Sequence, residues 1–164
     1  MLIRYREGDI LAILIEEEYF TFGQVARKLQ HNIILSIFHN IASDLTEPFL
    51  DKINPNTPTL IFETMDTFIR NGKWKIVGNL PSPSDLIIPK FRVSVEGQGE
   101  CIQDAFGKII GPVTLMESDK LRSPKSYSPP IAEAAARAIN KKGPWMHVFD
   151  EMLNLDDSRG GRPS

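Results

Sequence analysis

The sequence predicts an α+β fold: a strongly twisted antiparallel sheet, or a small open barrel, with two short C-terminal helices packed on it. Short apolar stretches separated by turn-forming residues fill the first two thirds of the chain, which is typical of an antiparallel sheet. After residue 128 the apolar residues recur at helical spacing instead. A chain of 164 residues fits one domain, and folding at that size buries roughly 70% of the unfolded surface. We place this domain at residues 1–155 and a disordered, charged tail at residues 156–164.

The fold is expected to centre on a hairpin at residues 8–25. Residues 10–15 are all apolar, so both faces of the first strand should be buried. The next three residues are Glu16, Glu17 and Glu18. Adjacent carboxylates are costly to bury unpaired, which predicts a turn in water. Residues 19–28 then form the second strand, where Gly23 indicates a bulge or the close approach of another backbone.

Three further strands and a long loop follow. Residues 32–38 alternate as a third strand, and residues 42–58 form a polar loop with one short helical turn near residues 45–52. Residues 59–69 are rich in β-branched and aromatic side chains, which predicts a fourth strand. The Asn-Gly pair at residues 71–72 predicts a tight turn, after which residues 73–77 pair back as a fifth strand.

The last part of the chain changes from strands to helices. Residues 91–95 and 100–104 are expected to pair across a glycine turn, whereas residues 111–127 show no regular pattern. Ser128 is the predicted N-cap of a helix that begins with two prolines. Glu133 and Arg137 are expected to pair on the water-facing side of this helix. A second short helix is expected to end near residue 155.

Composition points to a reducing compartment and argues against nucleic acid as a partner. The formal net charge is −2 and the pI is near 5.9, so the basic excess of nucleic-acid-binding proteins is missing. The only cysteine, Cys101, cannot form an intrachain disulfide. The first residues do not resemble a signal peptide, and no apolar run approaches the ~20 residues of a membrane helix. We therefore expect a cytoplasmic protein that does not bind membranes.

No sequence motif of catalysis is visible. The chain has no glycine-rich phosphate loop, nucleophile elbow or metalloprotease helix. His31 and His39 flank the third strand, where a spacing of eight residues places them about 26 Å apart, too far to share a metal ion. Cys101 is expected to be a small buried thiol. We predict a protein that is not an enzyme and that needs no cofactor and no metal.

Several motifs resemble the Immunity protein 26 family of bacterial polymorphic-toxin systems. They are Gly8-Asp9-Ile10-Leu11-Ala12-Ile13, then Tyr19, Phe22-Gly23 and Val25, then Gly72-Lys73-Trp74-Lys75-Ile76-Val77-Gly78-Asn79, and last Pro89-Lys90-Phe91. The segment from tryptophan to glycine is the most specific of these. The resemblance covers residues 8–95 and implies a non-enzymatic protein that binds a cognate toxin domain and neutralises it.

The charges suggest where such a partner would bind. If the toxin is a nuclease, its groove is basic, and an acidic surface would accelerate association. The acidic candidates lie in the first hairpin and the long loop: Glu16, Glu17, Glu18, Asp44, Glu47 and Asp51. Two alternatives remain open at this point. One is a small β-barrel that binds nucleic acid or cuts RNA, and the other is an assembly or scaffold domain.

Overall fold

The computed structural model describes residues 1–46, 49–118 and 121–154. These residues contain eight strands in two antiparallel sheets together with a few short helices, which confirms the α+β class. Neither sheet closes into a barrel within the described residues, so the open, twisted form of the prediction is the one observed. The predicted tail at residues 156–164 lies outside the described residues.

The larger sheet contains the predicted hairpin at its centre. Its strands are β1 (Asp9–Glu16), β2 (Tyr19–Lys28), β3 (Asn32–Ala42), β4 (Leu60–Met65) and β5 (Lys75–Asn79). They lie in the order β4-β3-β2-β1-β5, and every neighbouring pair is antiparallel. The central strands β1, β2 and β3 therefore have a hydrogen-bonded neighbour on both sides.

The prediction of one strand over residues 59–69 is wrong. Strand β4 ends at Met65, and helix α1 (Thr67–Arg70) follows it. Ile69 fits the apolar pattern although it lies in a helix, because its side chain is fully buried in the core. Its apolar character reflects core packing and not strand pairing. Gly72 does adopt a positive φ of 80°, but it ends α1 by bonding to the carbonyl of Ile69 and closes no hairpin.

The pairing predicted for the fifth strand is wrong as well. Strand β5 pairs with β1, at Ile10 with Gly78 and Leu11 with Ile76, on the opposite edge of the sheet from β4. Helix α1 separates the two strands, so a two-residue reversal between them cannot form. The chain instead crosses to the free edge of β1.

The second sheet contains the predicted pairing of residues 91–95 with the strand that follows the glycine turn. Strands β6 (Phe91–Val95), β7 (Gly99–Gln103) and β8 (Ile109–Pro112) lie in the order β6-β7-β8. Gly97 and Gly107 supply the positive φ angles that the two connecting turns require. A short helix α2 (Leu115–Ser118) follows, in a region for which the sequence predicted no regular structure.

Helix α3 (Pro129–Ile139) begins as predicted, with Ser128 extended at the N-cap and two prolines at the first helical positions. Its C-terminus is closed by two bonds, from the Lys141 N–H to the Ala138 carbonyl and from the Lys142 N–H to the Arg137 carbonyl. Lys141 takes the left-handed conformation, with φ of 58°, that glycine usually takes at this position. The expected second helix is shorter than predicted, a 3₁₀ helix at His147–Glu151.

Both faces of the central strands are buried over most of their length, and within the apolar run at residues 10–15 only Leu14 is exposed. On one face α3 and the 3₁₀ helix cover a core that includes Leu11, Ile13 and Leu35. On the other face Phe22 stacks on Phe49 from the long loop, with ring centroids 4.5 Å apart. Gly23 lies at a close approach of the neighbouring strand, because a Cβ there would lie 3.0 Å from a methyl carbon of Leu35 and 3.2 Å from the carbonyl oxygen of Ser36.

The N-terminal segment is fixed to α1 through a buried tyrosine. The Tyr5 hydroxyl donates to Asp66 at 2.6 Å, and the Arg70 guanidinium donates to the same carboxylate oxygen at 2.6 Å. Burial first, and then the bond to Asp66, raise the pKa of Tyr5 well above its ordinary value of 10.0. The neutral phenol is therefore the form that the fold stabilises.

This pKa predicts a loss of stability at alkaline pH. The unfolded chain releases the Tyr5 proton near pH 10, whereas the folded chain retains it, so the free energy of unfolding falls as pH rises above 10. Burial raises the pKa of Tyr127 as well, so both groups contribute in the same direction. Urea unfolding between pH 8 and 11 should show a shallower decline for Tyr5→Phe than for the parent chain. An identical decline in the two proteins would contradict the assignment.

Candidate partner-binding surface

The acidic turn lies at one end of the larger sheet, exposed to water as predicted. Strand β1 ends at Glu16 and β2 begins at Tyr19, and these two residues are paired across the hairpin. Glu16, Glu17 and Glu18 are all exposed. The register shifts between Leu14 and Glu16, which leaves Ile15 in the core. We refer to residues 14–19, together with the end of β3 at residues 40–44, as the hairpin end.

One of the three glutamates is paired. The Glu16 carboxylate lies 2.8 Å from Nζ of Lys142, three residues past the end of α3. Lys142 Nζ also lies 4.9 Å from the ring centroid of Tyr19. The hydrogen bond to Glu16 raises the pKa of Lys142, so the lysine remains charged. Glu17 and Glu18 form no ion pair with any residue in the described parts of the chain, so their charges are available to a partner.

Asp44 lies at the same end of the sheet. Phe20 pairs with Ala42, which brings the last residues of β3 beside the first residues of β2. The Asp44 carboxylate accepts a hydrogen bond of 2.8 Å from the Thr46 N–H. That bond lowers the pKa of Asp44, so its side chain carries a full negative charge at neutral pH.

The remaining two predicted residues are less closely placed. Asp51 is exposed on the 3₁₀ turn Leu50–Lys52, which adjoins β3 because Asn40 Nδ2 donates to the Lys52 carbonyl at 3.2 Å. Glu47 lies outside the described residues. The structure therefore brings together Glu16, Glu17, Glu18 and Asp44, and places Asp51 on a neighbouring loop.

Sequence reasoning missed the apolar side chains of this surface. Leu14, Tyr19 and Ile41 are 44%, 39% and 45% exposed. Because side chains alternate along a strand, Tyr19 and Ile41 lie on the face that carries α3, whereas Leu14 lies on the opposite face with Phe20. Ile41 could not have been assigned, because β3 continues four residues beyond its predicted end at residue 38.

The first family motif has a structural task. Gly8 adopts a φ of 88° and its carbonyl accepts a hydrogen bond from the Leu80 N–H. The buried Asp9 carboxylate accepts from the Arg6 N–H and from the Asn79 side chain, each at 2.9 Å. This pair of residues therefore fixes the start of β1 against the end of β5 and is not available to a partner.

The tryptophan of the second motif joins the sheet to α3. Trp74 is buried, and its indole N–H donates to the Glu133 carboxylate at 3.1 Å. Lys73 Nζ donates to the same carboxylate at 2.9 Å. The prediction that Glu133 pairs with Arg137 in water is therefore wrong, since Glu133 is only 7% exposed. A buried indole N–H requires an acceptor, and Glu133 on the inner face of α3 supplies it.

Glu151 is the centre of a cluster of charged and polar side chains away from the hairpin end. Glu151 accepts a hydrogen bond from the Tyr127 hydroxyl and forms ion pairs with Arg122 and Lys125. It borders an apolar groove of about 310 Å³ between the two sheets. Cys101 is buried, as predicted. Among the described residues, no group of three or more His, Cys, Asp or Glu side chains could hold a metal ion.

Comparison with known proteins assigns the family. The model of a family described as Immunity protein 26 matches residues 6–101, more than half of the chain. The chain therefore belongs to the Immunity protein 26 family, and the resemblance stated from its motifs is confirmed. Neither the search of curated proteins nor the search of solved structures found a match. None of the helices in the described residues is long and apolar enough to cross a bilayer.

Proposed function

We propose that this protein binds a cognate bacterial toxin domain and neutralises it by covering the toxin's active surface. Membership of a family of immunity proteins is the observation that carries this proposal. The hairpin end adds a physical basis for it, because this end of the sheet presents both charged and apolar side chains to water.

The proposed contact surface comprises the acidic residues of the hairpin and the long loop, namely Glu16, Glu17, Glu18, Asp44, Glu47 and Asp51. Within this set, Glu17, Glu18 and Asp51 form no ion pair with any other described residue, and Glu17 and Glu18 are adjacent in the turn. Such a surface suits a toxin whose active groove is basic, as the groove of a nuclease is. Complementary charge accelerates encounter and fixes orientation more than it adds to final affinity.

Charge reversal tests this surface. The double variant Glu17→Lys/Glu18→Lys should lower the association rate constant for the toxin domain about ten-fold or more at low salt, and should weaken its dependence on ionic strength. The control is Asp85→Lys/Glu96→Lys, which changes net charge equally at exposed positions in other parts of the chain. Stopped-flow measurements at several salt concentrations give both quantities. Equal effects of the two double variants would show that net charge matters and location does not.

A further inference from the structure

We infer that Tyr19 and Ile41 form the apolar centre of the interface with the toxin. The toxin surface that complements them is basic and has an apolar patch at its middle. The inference rests on the proposed function and deepens it, since it assigns affinity to one face of the hairpin end. Its components are two exposed apolar side chains, an acidic border and a lysine that holds the aromatic ring.

The two apolar side chains lie on neighbouring strands and on one face. Phe20 of β2 pairs with Ala42 of β3. Tyr19 and Ile41 directly precede these two residues, so the alternation of side chains along a strand turns both toward the face that carries α3. Both retain well over a third of their surface in water, at 39% and 45%. A few residues near the centre of an interface supply most of its binding energy, and tyrosine is among the residue types enriched there.

The charges around this pair specify the chemistry of the partner. Glu17 and Glu18 directly precede Tyr19 in the chain, Asp44 follows Ile41 by three residues, and none of the three acidic residues forms an ion pair with another described residue. Lys142, the cation in contact with Tyr19, is already paired with Glu16. An apolar centre with an acidic border complements a basic surface with an apolar centre, and it disfavours an acidic or uniformly polar one.

Lys142 holds the surface in its binding conformation. Its backbone N–H is fixed by the Arg137 carbonyl at the end of α3, at 2.9 Å. From that position its ammonium group contacts both the Glu16 carboxylate and the Tyr19 ring. The hairpin end is therefore tied to a helix that packs on the core, which reduces the conformational entropy lost on binding. Lys142 is a positioning residue in this account and is not itself a contact.

The experiment uses the full chain and, as probe, a catalytically inactive form of the C-terminal module of the protein that the gene immediately upstream encodes. Dissociation rates are measured by surface plasmon resonance. Tyr19→Ala and Ile41→Ala should each raise the dissociation rate constant about ten-fold or more while changing the association rate little. Lys142→Met should raise it several-fold, and Lys142→Arg should restore the parent rate.

Ile76→Ala is the matched control, because Ile76 is an exposed isoleucine of the same sheet, at 36%, that lies on β5 outside the hairpin end. It should leave the dissociation rate unchanged, and thermal unfolding should confirm that all variants are folded. If the parent chain binds and the Tyr19 and Ile41 variants dissociate at the parent rate, this inference fails and the proposed function stands. If the parent chain does not bind the module at all, the proposed function fails and the inference fails with it.

Discussion

Replacing Trp74 with alanine is expected to lower the free energy of unfolding by about 3–5 kcal/mol, the usual cost of deleting a buried aromatic side chain. The effect should be at the upper end of that range. Trp74 is 1% exposed, packs edge-to-face on Phe68 and donates to the buried Glu133 carboxylate. Its removal therefore opens a cavity and also takes away one of the two hydrogen bonds that compensate a buried charge. Urea denaturation followed by circular dichroism measures the difference.

Two controls separate packing from hydrogen bonding. Trp74→Phe keeps much of the volume but removes the indole donor, so it should cost about 1–3 kcal/mol, the penalty for leaving a buried polar group unpaired. Trp145→Ala removes a tryptophan that is only partly buried and should cost less than Trp74→Ala. A loss below about 1 kcal/mol for Trp74→Ala would contradict the role given to this residue, because such a value is typical of a surface substitution.

Gly8→Ala is expected to destabilise the fold by about 2–4 kcal/mol, since it combines backbone strain with a steric overlap. Gly8 has a φ of 88°, and a Cβ at this position would lie 2.6 Å from the carbonyl oxygen of Leu80. The overlap involves backbone, so it cannot be relieved by rotating a side chain. The start of β1 would have to move away from β5, which also disturbs the hydrogen bonds of Asp9.

Gly97→Ala provides the matched control for this prediction. Gly97 has a similar φ of 76°, but nothing lies within 4 Å of its added Cβ. It should therefore show only the conformational cost of a side chain in the left-handed region, about 1–2 kcal/mol. The difference between the two variants in thermal or urea unfolding measures the close approach of Leu80 alone. Equal losses at the two positions would show that the close contact is unimportant.

Short sequence patterns predicted the strands correctly where a strand pairs with the next strand in the chain. The hairpin β1–β2 and the β6–β7 hairpin follow from apolar runs and the turns between them. The sequence misassigned residues 59–69 because β-branched and aromatic side chains serve a buried helical turn as readily as a strand. Ile69 is such a case, buried from α1. The partner of β5 could not be predicted, because pairing with β1 depends on a crossover that no local pattern encodes.

The sequence correctly predicted that the three adjacent glutamates are exposed, but it did not identify the apolar residues that lie at the surface. Three adjacent glutamates must stay in water, so their exposure followed from desolvation cost alone. Exposed Tyr19 and Ile41 look like core residues in the sequence, and only the register of β2 and β3 shows them to be at the surface. Glu133 shows the reverse error. Helical spacing placed it in water, but the buried indole of Trp74 holds it inside.

The central claim is that this protein acts by covering a partner and transforms no substrate. The most direct measurement titrates the full chain into the active C-terminal module of the protein that the gene immediately upstream encodes, with the activity of that module as the readout. The account predicts that activity falls linearly to zero at a fixed ratio of the two proteins and that the chain is recovered unchanged. If one molecule of this chain inactivated many molecules of the module, the account would be contradicted. Cleavage of mixed RNA by the purified chain alone would also contradict it.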